Sequence, residues 1–284
     1  MKRVLLIGGA GQLGTAIRER WRECEIVAPS RAELDLADGP GLRAALERFA
    51  PQVFVNAAAF HDVDACEHEP DRAFAINAAA VGTAARHARD CGAVFVTIST
   101  DYVFDGEASA AYAEDCPPHP ISVYGVSKLA GEYLVEALRM QAFVVRTCGV
   151  YGRTTLGRAR ASFIDRVLSQ RGGEPPLRIV TDVVASPTFA GHLAEALAKL
   201  IETRAYGLYH AANVGPVSWY DFAREAVAQA GSGAAVEPIL ARERKTAAAR
   251  PRFSALRNGK LESLGIAMPS WRDGISAYLG GTVR

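Results

Sequence analysis

Tyr124 and Lys128, in the stretch Tyr124-Gly125-Val126-Ser127-Lys128, are spaced so that a helix would put a phenol and an ammonium on one face. A free phenol ionises near pH ~10, and an adjacent cation favours its phenolate. Such a pair gives a proton to a carbonyl that is receiving a hydride, or takes one from an alcohol that is losing a hydride. The spacing therefore points to redox chemistry at a carbon bearing oxygen. Thr100 precedes Tyr124 by 24 positions and follows the apolar run Val94 to Ser99. A hydroxyl at that strand end, facing a Tyr/Lys helix, would hydrogen-bond the same oxygen that Tyr124 protonates.

A hydride needs a carrier, and the N-terminal segment offers a place for one. Gly8-Gly9-Ala10-Gly11-Gln12-Leu13-Gly14 follows a first strand directly and opens a first helix. Without Cβ atoms at Gly8 and Gly11 the chain turns sharply and a pyrophosphate can approach backbone N–H groups at the helix start, including Gln12 and Leu13; Gly14 permits close helix–sheet packing. The second strand ends in Ala28-Pro29-Ser30-Arg31, with no acid to bind ribose hydroxyls and an arginine able to fork onto a 2′-phosphate. NADPH is favoured, with NADH left open. Asp35 and Leu36 are placed to flank the adenine, although Asp35 serves equally as a helix cap. The third strand ends in Asn56-Ala57-Ala58-Ala59, where small side chains would let the cofactor lie against the backbone. His61, Asp62, Asp64, Glu67, His68 and Glu69 form a polar run in which only Asp64 and His68 share a helical face, so a solvated loop is a better reading than a metal site.

Apolar runs alternate with helical patterns through the first half: Val4 to Ile7, then Gln12 to Trp21; Glu25 to Ala28, then Gly41 to Phe49; Val53 to Asn56, then Asp71 to Cys91; Val94 to Ser99, then Tyr124 to Met140; Phe143 to Arg146. Short buried strands separated by amphipathic helices imply an α/β fold with a doubly wound, parallel, Rossmann-type sheet. Its ligand crevice lies at the carboxyl ends of the strands. After Tyr151 come Arg/Gly-rich segments, a strand-like run at Leu177 to Thr181, and helices at Phe189 to Glu202 and Trp219 to Ala230. The expected division is a cofactor domain over 1–150 with a return near 177–204, and a smaller substrate lobe made of 151–176 and 205–284.

At 284 residues the chain has room for such an arrangement, and 49% hydrophobic with 22% charged residues is ordinary globular composition. A net charge of +1 sets up no field for nucleic acid, and the run Arg242-Glu243-Arg244-Lys245 is broken by an acid. Cys24, Cys66, Cys91, Cys116 and Cys148 are scattered and lack Cys-x-x-Cys spacing, which suggests neither disulfides nor zinc and fits a reducing cytoplasm. No apolar stretch approaches the ~20 residues needed to cross a bilayer. A soluble, cytoplasmic protein is expected.

Taken together, the motifs resemble the extended short-chain dehydrogenase/reductases, and within them the dTDP-4-dehydrorhamnose reductase family. The matching pieces are Gly8 to Gly14, Glu33 to Leu36, Val55 to Ala59, Ser99 to Gly106, Tyr124 to Glu132, Arg146-Thr147 with Val150-Tyr151-Gly152, Ser186-Pro187-Thr188, Gly207 to His210 and Arg250-Pro251. The resemblance implies hydride transfer to the 4-keto group of dTDP-6-deoxy-L-lyxo-4-hexulose, giving dTDP-L-rhamnose. It implies that Tyr124 donates the proton, that Lys128 binds the nicotinamide ribose and lowers the phenol's pKa, and that Thr100 polarises the keto oxygen. Thr100, Asp101, Val103, Phe104 and Tyr124 are the implied substrate contacts. A nucleotide sugar is thus the expected partner; a homodimer is left open and no metal is expected. A dTDP substrate also needs cations for its diphosphate, and Arg153, Arg158, Arg160, Arg250 and Arg252 are available.

Three positions depart from the family pattern. Cys148-Gly149 replaces Ser-Trp or Ser-Gly, Asp182-Val183-Val184-Ala185 replaces Asp-Gln-x-Gly, and Ser162 stands where asparagine usually precedes the aromatic at Phe163. They leave the nicotinamide chemistry untouched and bear on the sugar. A 4,6-dehydratase would want Asp-Glu after the hydroxyl residue, where this chain has Asp101-Tyr102. The reductase or epimerase of another nucleotide-4-keto-6-deoxy sugar, and a dinucleotide-binding regulatory subunit like that of methionine adenosyltransferase, remain alternatives. The intact Thr100, Tyr124 and Lys128 favour an enzyme over the regulatory subunit.

Overall fold

The computed structural model describes residues 1–155, 162–170 and 175–281. Strand β1 (Lys2–Ile7) buries its last four residues and turns at Gly8 into helix α1 (Gln12–Arg20). There follow β2 (Cys24–Val27), α2 (Gly39–Phe49), β3 (Val53–Asn56), α3 (Val63–His68), α4 (Pro70–Phe74), α5 (Val81–Asp90), β4 (Val94–Thr100), α6 (Val123–Ala137) and β5 (Ala142–Thr147). Pairing alternate residues of each strand with opposite faces explains the two main cores. Val4 and Leu6 of β1, Val53 and Val55 of β3 and Val96 of β4 pack on one side, against Leu13 and Ile17 of α1. Leu5, Ile7, Phe54 and Phe95 point the other way, onto Leu42 and Leu46 of α2 and Val81, Ala84 and Ala88 of α5.

The helix expected over 71–91 is three joined pieces, because Ala75–Ala80 between α4 and α5 takes a π-helical turn. Within it, buried Asn77 exchanges hydrogen bonds with the Phe60 backbone, donating to its carbonyl and accepting from its N–H at 2.9 Å each. Such turns widen the helical ring and re-aim side chains, often at functional sites.

The second half supplies α7 (Phe163–Leu168), β6 (Leu177–Val180), β7 (Val184–Ala185), α8 (Ala190–Thr203), β8 (Gly207–His210), β9 (Val217–Ser218), α9 (Trp219–Ala230), β10 (Val236–Ile239), α10 (Gly259–Ser263) and α11 (Trp271–Gly280). The central sheet runs β2-β1-β3-β4-β5-β8, every pair parallel. Its order reverses between β1 and β3, which opens a crevice at their carboxyl ends. The expected domain division needs correction in two places. Residues 177–180 do not return to the main sheet; they pair with β10 in a separate two-stranded sheet. It is β8, assigned to the lobe, that completes the main sheet, its Tyr209 side chain packing into the core shared by α1 and α8. Short β7 pairs with β9, and α7, α9 and α11 share an aromatic core with Tyr151, Phe222 and Trp271. Among the described residues, no helix is long and apolar enough to cross a membrane.

Candidate active site

Thr100 is the last residue of β4, so the sheet delivers its hydroxyl to the crevice at a fixed height. Tyr124 lies in the first turn of α6. That helix start is fixed twice: the Ser122 side chain accepts from the Gly125 N–H at 3.2 Å, and Glu67 of α3 accepts from the Val123 N–H at 2.8 Å. Burial raises the Tyr124 phenol above its ordinary pKa, while a hydrogen bond with the Thr100 hydroxyl pulls the other way. The two groups anticipated from separate motifs therefore meet. One turn further along α6, buried Lys128 donates from Nζ to the Ile98 carbonyl at 2.6 Å, which holds it beneath the strand end. Burial pushes the ammonium down to about 8, and the Glu132 carboxylate opposes that. Burial is the largest influence on the Tyr124 phenol and raises it. A protonated phenol is the form that a proton donor requires, and an alkoxide forming beside it is the stronger base.

Several groups that sequence reasoning missed hold this pair. Glu132 is buried and takes both the Ser99 hydroxyl and a two-pronged contact from Arg146, with the shortest Arg146 nitrogen to Glu132 oxygen distance 2.6 Å. Ser99 and Arg146 are partners across β4 and β5, so this cluster ties both strands to α6 directly below the reacting end. Asn77 donates to the Ser127 hydroxyl at 3.1 Å, and Ser127 in turn donates to the Tyr124 carbonyl at 2.8 Å. The only sequence signal for these was a polar side chain inside an apolar element. Tyr102 stacks edge-on against Tyr124, ring centres 5.6 Å apart.

The glycine turn fits a dinucleotide. Gly8 has φ +85°, and a Cβ there would lie 2.7 Å from the Ala57 carbonyl carbon, so only glycine lets the ends of β1 and β3 approach. Gly11 precedes α1, whose first N–H groups, among them those of Gln12 and Leu13, have no carbonyl partner within the helix. The Leu13 side chain itself is core, so at this turn it presents only its backbone. Ala57, Ala58 and Ala59 are partly exposed at the crevice floor. Thr154 and Thr155, which the sequence did not mark, reach back to the Ala10 carbonyl from their side chains, at 2.8 and 3.3 Å. Arg31 is exposed and pairs with Asp35 at 2.8 Å, an open surface contact that is easily surrendered to a phosphate. The Leu36 side chain is buried in the core beside Leu34, which anchors the polar turn around it.

Three implied substrate contacts also need correction. Val103 and Phe104 are fully buried, and Phe104 stacks on Tyr112 at 4.1 Å under the Arg146 guanidinium. They form the floor below the site. Asp101 is buried too, accepting from Ser254 at 2.6 Å, Cys148 at 3.0 Å and the Thr100 hydroxyl at 3.2 Å. Burial raises its carboxyl, and the hydrogen bonds from Ser254, Cys148 and Thr100 oppose that. It positions Thr100 and does not face a ligand directly.

In the polar run, Asp62 caps α3, and Asp64 grips Arg250 through two contacts of 2.7 and 3.1 Å that hold its carboxyl down at about 2. Arg250 is therefore committed to Asp64, whereas Arg153 and Arg252 are exposed. Arg158 and Arg160 lie outside the described residues. Among the described residues, no cluster of three or more His, Cys, Asp or Glu side chains is placed to hold a metal ion.

A parallel Rossmann-type sheet with a Thr/Tyr/Lys set at its carboxyl edge defines the short-chain dehydrogenase/reductase class. Within that class the chain belongs to the family described as the RmlD substrate binding domain, whose pattern matches residues 1–283. It is 34% identical over 281 residues to the spore coat polysaccharide biosynthesis protein SpsK of Bacillus subtilis, covering 98% of this chain and 97% of that one. It is also 34% identical to a dTDP-4-dehydrorhamnose reductase of Streptomyces griseus, covering 95% of this chain and 90% of that one. Among solved structures, the dTDP-4-dehydrorhamnose reductase of Bacillus anthracis in complex with NADP superposes with a TM-score of 0.93 at 34% identity, over 99% of both chains.

Proposed function

We propose that this chain reduces the 4-keto group of dTDP-4-dehydro-6-deoxy-L-hexose with NADPH, giving dTDP-L-rhamnose. The observation that carries the reading is the meeting of Thr100, Tyr124 and Lys128 at one strand end, in a chain matched along its whole length to reductases of this substrate. Gly8, Gly11, Gln12 and Leu13 would hold the pyrophosphate of NADPH and Arg31 its 2′-phosphate, with Ala57 to Ala59 leaving room for it against the backbone and Asp35 at the rim. NADPH when bound supplies the hydride. Thr100 holds the keto oxygen by a hydrogen bond. Tyr124 gives its proton to that oxygen as the C=O π pair becomes the new O–H bond. Lys128 keeps a positive charge near the phenolate left behind and hydrogen-bonds the cofactor ribose.

The test is to mix the protein with NADPH and enzymatically generated dTDP-4-dehydrorhamnose, following absorbance and product. One NADPH oxidised per dTDP-L-rhamnose formed is the expected result. Interconverted sugars with unchanged NADPH would mean an epimerase, and cofactor binding with no conversion would mean a regulatory subunit.

A further inference from the structure

Asp101 and Tyr102 follow Thr100 in one tight turn, and each of them touches a catalytic residue. Asp101 accepts from the Thr100 hydroxyl at 3.2 Å. The Tyr102 ring meets the Tyr124 ring edge-on with centres 5.6 Å apart. Its backbone is seated just as closely: a Cβ on Gly125, the residue after Tyr124, would lie 2.2 Å from the Tyr102 carbonyl oxygen, so this turn and the first turn of α6 are in direct contact. Both neighbours are gripped in turn by one C-terminal segment, 248–254. Ser254 donates to the Asp101 carboxylate at 2.6 Å. The Arg250 guanidinium reaches the Tyr102 hydroxyl.

That segment is pinned along its length. Asp64 of α3 anchors its start, accepting from the Ala248 N–H at 2.9 Å and from two Arg250 nitrogens at 2.7 and 3.1 Å. The Gly106 carbonyl accepts from the Phe253 N–H at 3.3 Å, and a Cβ at Gly106 would lie 2.5 Å from the Arg252 nitrogen, so the segment runs hard against the chain that leaves the catalytic turn. The Val184 carbonyl accepts from the Ser254 N–H at 2.9 Å and fixes its far end. A guanidinium carries five N–H donors in one plane, so Arg250 can hold a carboxylate with one edge and still offer a donor to a phenol. An ammonium in its place would be a point charge without that fixed fork. One turn along α3 from Asp64, Glu67 accepts from the Val123 N–H at 2.8 Å, so the helix that anchors the segment also anchors the start of α6.

We propose that Arg250 and Ser254 are positioning residues for the reduction: Arg250 holds Tyr124 through Tyr102, Ser254 holds Thr100 through Asp101, and segment 248–254 thereby sets the spacing of the two hydroxyls that meet one keto oxygen. The inference rests on the proton-donor reading of Tyr124 and adds what places its phenol. Arg250→Ala should lower kcat for dTDP-4-dehydrorhamnose about tenfold and leave NADPH and dTDP affinities within about twofold. Tyr102→Phe keeps the ring and loses the hydroxyl; it should cost the same, and the two changes together should cost no more than either alone, because they break one path. Arg250→Lys should regain the unfolding midpoint through Asp64 without regaining kcat. Ser254→Ala acts on the other path, so its loss, also about tenfold, should multiply with that of Arg250→Ala. Wild-type kcat in Arg250→Ala or Ser254→Ala, multiplying losses from Arg250→Ala and Tyr102→Phe, or recovered kcat in Arg250→Lys would overturn the proposal. Weakened dTDP binding in Arg250→Ala would overturn it too, by making the arginine a diphosphate ligand. A wild-type protein that oxidises no NADPH with this substrate would instead remove the functional reading on which the proposal rests.

Discussion

The proton-delivery side and the lobe around Trp219 are built by different means. On the proton side each functional group sits within one or two residues of a strand end or a helix start: Gly8 after β1, Ala57 after β3, Thr100 closing β4, Tyr124 opening α6. The parallel sheet sets their mutual positions, and a buried cluster of Ser99, Glu132 and Arg146 locks them. Around Trp219, residues Gly149, Phe163 and Val183 come from three other segments and meet it through aromatic packing and one backbone hydrogen bond. The first region is rigid because ladders and a buried ion pair define it. The second depends on how well small elements pack, so it can vary without disturbing the first.

That contrast predicts unequal responses to mutation. Glu132→Gln leaves the Arg146 charge buried without its partner and should cost about 3–5 kcal/mol of stability by denaturant unfolding. The double change with Arg146→Met should recover most of it, and a single variant as stable as wild type would show that the cluster does not lock the strands. The pH profile of turnover probes the same region. Lys128 titrates well below a free lysine, near 8, so its charge is present at neutral pH and lost as pH rises through that value. Turnover should fall about tenfold per pH unit above this point; a profile flat to about pH 10 would remove the ammonium from the mechanism. Arg31→Ala should weaken NADPH about tenfold and NADH little, and equal effects would take Arg31 out of the 2′-phosphate site.

The smallest effect is expected where the two regions are tied at the surface. Asp64, held at about 2 by Arg250, contributes stability that is present above about pH 4 and lost as pH falls toward 2. The pair is partly exposed, so Asp64→Asn should cost about 1 kcal/mol or less at neutral pH and flatten the acid limb of an unfolding curve. An unaltered acid limb would mean that Arg250 does not tie the lobe to α3.

The sequence made the first region readable because motif and element coincide: a glycine turn must follow a strand, and a Tyr-x-x-x-Lys pair must ride one helical face. It misread Val103, Phe104 and Asp101, since a motif shared along a chain does not distinguish residues that face the ligand from residues that support them. Burial makes that distinction. It misplaced 177–180 because an isolated apolar run looks the same whether it joins a large sheet or a two-stranded one. The π-turn that aims Asn77, and the meeting of Trp219 with Gly149, arise from contacts between residues too distant for any local pattern.

The most direct test of the central claim is Tyr124→Phe, measured for both turnover of dTDP-4-dehydrorhamnose and NADPH affinity. Tyr124 as the proton donor predicts kcat lower by about a hundredfold or more with NADPH binding within about threefold of wild type. Wild-type turnover in this variant would contradict it.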